Sequence, residues 1–176
     1  QDGKYPTTSY TGTKDTYINR WKPNNNTGSE PRIMFGQWGS YRPLVYFDLA
    51  PGSIPTGANI ISASLGLWCH GRNLFDAMEI EVYQVVRSWE PSQATWYKAT
   101  GGDNWDEEGC DDPSTDRLAT PVSGRTVFDR LMFQWFDVTA AVQNWVDTPS
   151  SNEGVVLISL DPSIIYYYRS SRWGTV

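Results

Sequence analysis

The stretch Ile60-Ile61-Ser62-Ala63-Ser64-Leu65-Gly66-Leu67-Trp68-Cys69-His70 decides the class of fold. Ile61, Ala63, Leu65, Leu67 and Cys69 alternate with Ser62, Ser64, Gly66, Trp68 and His70. A period of two belongs to a β-strand, whose successive side chains leave opposite faces of the pleat. The first row is expected to face a core and the second, with Trp68, to point away from it.

Working outward, strand-like runs recur between turns rich in Pro, Gly and Asn, at 15–20, 32–38, 44–49, 79–88, 132–138, 154–160 and 164–169. Residues 44–49 carry apolar side chains on both faces and read as a central strand. Residues 139–146 are the one helical candidate, with Val142, Trp145 and Val146 at helical spacing and Asp137 or Thr139 as N-cap. The stretch from Trp89 to about Thr126 has no sustained period, and irregular segments of that length usually carry function. The prediction is an all-β, jelly-roll-like antiparallel β-sandwich with one short helix and one long acidic loop.

With 176 residues at 19.9 kDa, the chain fits a single domain. Nine Trp, ten Tyr and six Phe suit a β protein, and their rings have three possible uses: core, sugar-stacking platform or subunit interface. A net charge of −6 argues against nucleic acid, and no apolar run is long enough to span a bilayer. The start at Gln1, without Met, is read as that of an exported protein, so the expected location is extracellular.

Seven carboxylates crowd residues 101–116. Asp103, Asp106, Glu107, Asp111, Asp112 and Asp116 are candidate ligands for Ca²⁺, which accepts oxygens from irregular loops; the alternative is a solvated acidic loop. Cys69 and Cys110 are the only cysteines and are read as a disulfide, worth roughly 3 to 4 kcal/mol on chain entropy, against two free buried thiols. Asn25-Asn26-Thr27 is a glycosylation sequon. For catalysis the materials are thin. His70 is the only imidazole, and Glu90 with Asp137 or Glu79 offers a carboxylate pair of the kind that hydrolyses glycosides, but such pairs are common by chance and Asp137 has a capping role, so no enzyme is expected. Tyr46, Trp68, Tyr83, Tyr97, Trp105 and Trp173 are the candidate outward aromatics, for sugar or for a subunit contact. Trp21, Trp89, Trp96, Trp135 and Trp145 are assigned to the core.

Several blocks then occur in one order: Lys14-Asp15-Thr16-Tyr17-Ile18, Pro43-Leu44-Val45-Tyr46-Phe47-Asp48-Leu49 with Ile54-Pro55-Thr56-Gly57-Ala58, and Ala63-Ser64-Leu65-Gly66-Leu67. Trp89-Glu90 with Ala94-Thr95-Trp96, Phe136-Asp137-Val138-Thr139 with Val142-Gln143-Asn144-Trp145-Val146, and Asn152-Glu153-Gly154-Val155-Val156-Leu157 follow. In that order they resemble the DNRLRE-type modules of secreted proteins. The resemblance implies a jelly-roll-type sandwich, some of whose members bind carbohydrate. It also implies a further closing strand, which residues 13–176 lack, while residues 1–12 precede the family's start and read as an extended, potential donor strand. Two functions follow as expectations. One is a non-catalytic extracellular module that binds polysaccharide or cell-surface material. The other is a filament or surface-layer subunit that completes other copies of itself by strand addition.

Overall fold

A computed structural model describes residues 7–50, 54–161 and 163–173. It contains β1 (Thr13–Asn19), β2 (Arg32–Gly36), β3 (Tyr41–Phe47), β4 (Ser64–Arg72), β5 (Met78–Gln84), β6 (Ser123–Val127), β7 (Met132–Asp137), α1 (Thr139–Asp147), β8 (Val155–Ser159) and β9 (Ile165–Arg169). All pairings are antiparallel, in the order β6-β5-β8-β3-β2-β9-β4-β7, with β1 added to β3. Because β2 and β3 pair only at Gly36 and Tyr41, the sheet folds there into two leaves. Leaf one is β1-β3-β8-β5-β6 and leaf two is β2-β9-β4-β7. At the far side the leaves meet again, where Arg125 Nη1 of β6 donates to the Trp135 carbonyl of β7 at 2.6 Å. This is the all-β sandwich that the alternating pattern predicts.

The core between the leaves follows the alternation. Tyr17, Val45, Ile80, Val82 and Leu157 from leaf one meet Ile33, Phe35, Leu65, Leu67, Cys69, Phe136, Tyr166 and Tyr168 from leaf two, and Ala141 and Trp145 of α1 close one end. Ile61, placed in the inward row, is exposed instead, because the strand starts only at Ser64. Val138 rather than Asp137 or Thr139 occupies the N-cap position of α1. Asp137 still accepts from the Thr139 hydroxyl at 2.6 Å and from the Thr139 N–H at 2.9 Å, which together hold its carboxyl below the ordinary range.

The inner strands of leaf one are buried on both faces. Residues 44, 156 and 158 point away from the first core, and with Ile18, Tyr83 and Val85 they pack against Trp89, Ala94, Trp96, Ala99, Trp105 and Cys110. The long irregular stretch is therefore a third layer laid over leaf one. Burying each large apolar side chain there contributes about 1.5 to 3 kcal/mol. The stretch also contains one strand that the sequence reading misses, β6, an edge strand in which only Val127 is buried.

This layering corrects the disulfide. Cys69 lies in the core between the leaves and Cys110 under the third layer, and both are free, buried thiols. Burial pushes both thiols up, leaving them protonated and inert at neutral pH. Alkylation of the denatured, unreduced chain is expected to label both cysteines, as read by mass spectrometry; an unlabelled pair would contradict this.

Of the N-terminal segment, residues 1–6 lie outside the described residues, as do 51–53, 162 and 174–176. Tyr10 is buried against its own chain, its hydroxyl donating to the Asp48 carbonyl at 2.9 Å.

Candidate functional site

The third layer covers leaf one, which leaves the outer face of leaf two to solvent. That face is built by register. Gly66 of β4 lies opposite Trp135 of β7, and Trp68 opposite Phe133. Next to β4, β9 contributes Tyr167 and Arg169, and β2 contributes Arg32, which pairs with Arg169 across the strands. Beyond β9 the chain turns, bringing Trp173 to the same surface.

The rings touch in sequence. Trp135 lies 5.3 Å from Phe133 between centroids, and Phe133 meets Trp68 edge-on at 5.1 Å. Arg169 bridges Trp68 and Trp173, with its guanidinium 5.2 and 4.9 Å from the two rings. His70 packs 4.8 Å from Trp173, and Arg32 sits 5.8 Å from the Tyr167 ring. Trp135 is 54% exposed, Phe133 45% and Trp173 40%. Aromatic rings at that exposure on one sheet face form an apolar surface with π-faces available.

A groove of about 700 Å³ runs along this surface. It arises because β4 pairs with β9 only from Cys69 to Arg72. Past Arg169 the chain turns toward β1, where the Ser171 N–H donates to Asp15 Oδ2 at 2.6 Å and Arg172 Nη1 reaches Asp15 Oδ1 at 3.3 Å. The strands diverge there, and the gap has Ile33, Val45, Phe47 and Leu67 as its floor and Trp68, Phe133, Trp135, Arg169 and Trp173 as its lip.

The lip is cationic. Arg169 and Arg32 form no ion pair among the described residues. Burial, followed by the charges of Arg32 and Arg169, pushes the His70 imidazole down, so it is neutral at pH 7. What the face offers a ligand is apolar ring surface and guanidinium donors.

Gly66 is part of this construction. A Cβ there would lie 2.5 Å from Cζ3 of Trp135, so the indole rests on the bare backbone. Gly66→Ala is expected to displace the Trp135 ring and weaken ligand retention, with little change in melting temperature because the ring is on the surface. Parent-like retention would show that the ring's position is immaterial.

The other candidate residues go elsewhere. Trp105 is buried on the inner side of the third layer, its Nε1 donating to the Thr95 carbonyl at 2.9 Å, and Tyr83 of β5 is buried in the same cluster with Arg117 over its ring at 4.2 Å. Tyr46 is half-buried against the same cluster, and Tyr97 stands half-exposed on the third layer. Of the six candidate aromatics, the structure brings together Trp68 and Trp173. Trp89, Trp96 and Trp145 are in the interior as expected, whereas Trp135 and Trp21 are on the surface, contrary to their core assignment. Asn25 is exposed. Glu90 pairs with Lys14 at 3.7 Å, and Glu79 lies on β5, remote in the chain from Asp137 on β7.

In the acidic loop, arginines compensate several of the carboxylates that the sequence offers either as Ca²⁺ ligands or as a solvated acidic loop. Asp116 is fully buried and accepts from the backbone N–H groups of Asp106, Glu107 and Asp112 and from Arg87 Nε at 2.7 Å. Arg87 also pairs with Asp106, and Asp111 sits between Arg42 at 3.0 Å and Arg117 at 2.9 Å. Asp112 accepts from Ser114 and Thr115, and Asp103 from Thr100. Among the described residues no three potential ligand side chains converge on one point.

With an open aromatic face and its arginines in place, comparison with known families is decisive. The profile of carbohydrate-binding module family 96 matches residues 6–172. The chain belongs to that family. No curated protein matches it. As a carbohydrate-binding module of family 96, it presents one sheet face rich in exposed rings, and the match takes in residues 6–12, which the sequence reading sets apart.

Proposed function

We propose that this family 96 module binds a polysaccharide chain along the groove and outer face of leaf two, on extracellular or cell-surface glycan. One observation carries the reading: Trp135, Phe133 and Trp173 are exposed together on the sheet face that no other layer covers, with Arg169 held between two of the rings. Sugar rings have apolar C–H faces and polar edges. Stacking on the indoles removes the apolar faces from water, and Arg169 and Arg32 donate to hydroxyl or carboxylate oxygens. The groove has the volume of a small-molecule site, and the exposed rings extend the surface beyond it.

Affinity electrophoresis tests the reading, with gels containing hydroxyethyl cellulose, xylan, galactomannan, polygalacturonate or alginate. At least one polymer is expected to retard the protein, and Trp135→Ala is expected to restore its mobility. Unretarded migration in every gel would count against the reading.

A further inference from the structure

Two of the most exposed tryptophans of the described chain are absent from that face: Trp21 is 62% exposed and Trp38 is 68% exposed. Trp21 follows the end of β1, and Trp38 lies in the turn from β2 to β3. Gln37 links them. Its Oε1 accepts the Trp21 Nε1–H at 3.0 Å, and its side-chain amide donors form no hydrogen bond among the described residues. The turn is held from below, with the Gln37 N–H donating to the Ile164 carbonyl at 3.0 Å and the Trp38 N–H to the Asp161 carbonyl at 2.7 Å.

The backbone sets this turn apart. Gln37, Trp38 and Gly39 have φ of 56°, 54° and 63°, a left-handed run in which glycine or asparagine is the relaxed choice. Gln and Trp at positive φ cost stability, and an indole that is 68% exposed recovers little of it by burial. Strain that a fold retains at exposed residues points to function.

We infer that Trp21, Gln37 and Trp38 form a second saccharide-binding site, separate from the face on leaf two. The inference rests on the carbohydrate-binding reading, extended to a second place. The chemistry is of the same kind, flat rings beside amide donors, with the exposed cations Arg20 and Lys22 in the adjoining turn. The groove takes in Thr13 and Asp15 of β1, and the four steps from Asp15 to the end of the strand at Asn19, ~3.3 Å each, set the two sites roughly 13 Å or more apart. Two sites at that separation let one module hold two stretches of polysaccharide and gain avidity.

The test is affinity electrophoresis of the full chain in the polymer that retains it, comparing parent, Trp21→Ala, Trp38→Gly and Trp135→Ala. Trp38→Gly is expected to weaken retention about ten-fold while its melting temperature holds or rises, because glycine suits the left-handed turn. Parent-like retention of both Trp21→Ala and Trp38→Gly overturns the second site and leaves the first reading standing. Retention lost in Trp38→Gly but intact in Trp135→Ala supports the second site and overturns the leaf-two reading. Failure of every polymer to retain the parent overturns both. A lowered melting temperature accompanying the loss in Trp38→Gly also overturns the second site, since the indole then holds the turn together.

Discussion

Arg42→Ala is expected to lower the stability of the chain by about 3 kcal/mol and to loosen the third layer from leaf one. Arg42 is buried on β3, on the face turned toward that layer. Its Nε donates to the Gly39 carbonyl at 2.8 Å, Nη1 to the Gly109 carbonyl at 2.9 Å and Nη2 to Asp111 at 3.0 Å, and its guanidinium lies 5.1 Å from the Trp96 ring. Truncation leaves two carbonyls and part of a carboxylate without their donor. Arg117 still serves Asp111, which keeps the effect at the lower end for a broken buried pair. Thermal melts followed by tryptophan emission should show a lower midpoint and a red shift as Trp96 and Trp105 meet water. A midpoint within error of the parent would mean that the layer is held by its apolar contacts alone.

The same network sets the response to acid. Burial works against the charge of Asp111, but the hydrogen bonds and charges of Arg42 and Arg117 hold its carboxyl below the ordinary carboxylate range. A carboxyl whose pKa is depressed by folding contributes stability above its unfolded value, and that contribution is lost as pH falls through the folded one. The melting temperature is therefore expected to be steady at neutral pH and to drop below the ordinary carboxylate range. In Arg42→Ala the drop should be smaller.

Trp135→Ala is expected to weaken polysaccharide binding roughly thirty-fold, the ~2 kcal/mol that a central tryptophan of a binding surface typically carries. Trp135 has the largest exposure of the lip's aromatic residues, rests over Gly66 and touches Phe133, so its removal takes away one plane of the platform and frees a second ring. Stability should change little, because the indole is 54% exposed and rests on the sheet surface over Gly66. Calorimetric titration with the polymer identified by electrophoresis measures the loss. An unchanged affinity would move the site away from leaf two.

The alternation of residues 64–70 made the sandwich legible, since the period of two follows from backbone geometry and survives any packing arrangement. The helix at Thr139–Asp147 and the inward Trp89, Trp96 and Trp145 were legible for the same kind of local reason. The destination of the other aromatics was not. Tyr83 and Trp105 are covered, and Trp135 is bare, because the third layer folds over leaf one and leaves leaf two open, and nothing within a single strand records which face a distant segment will cover. β6 escaped because Ser123-Gly124-Arg125-Thr126-Val127 is an edge strand with one buried residue. One signal of the site was present in the sequence. The outward row of β4 runs Ser64, Gly66, Trp68, and small residues beside a tryptophan leave room for a ring from a neighbouring strand. Arg42, Arg87 and Arg117 come from separate parts of the chain, so their convergence on the acidic loop could not be read from spacing.

The nine tryptophans are reporters of where the ligand sits. The most direct test is an NMR titration of the ¹⁵N-indole-labelled chain with an oligosaccharide cut from the polymer that retains it. The leaf-two reading predicts that the indole signals of Trp68, Trp135 and Trp173 shift while those of Trp89, Trp96, Trp105 and Trp145 stay in place. Saturation that leaves Trp68, Trp135 and Trp173 unmoved would contradict it.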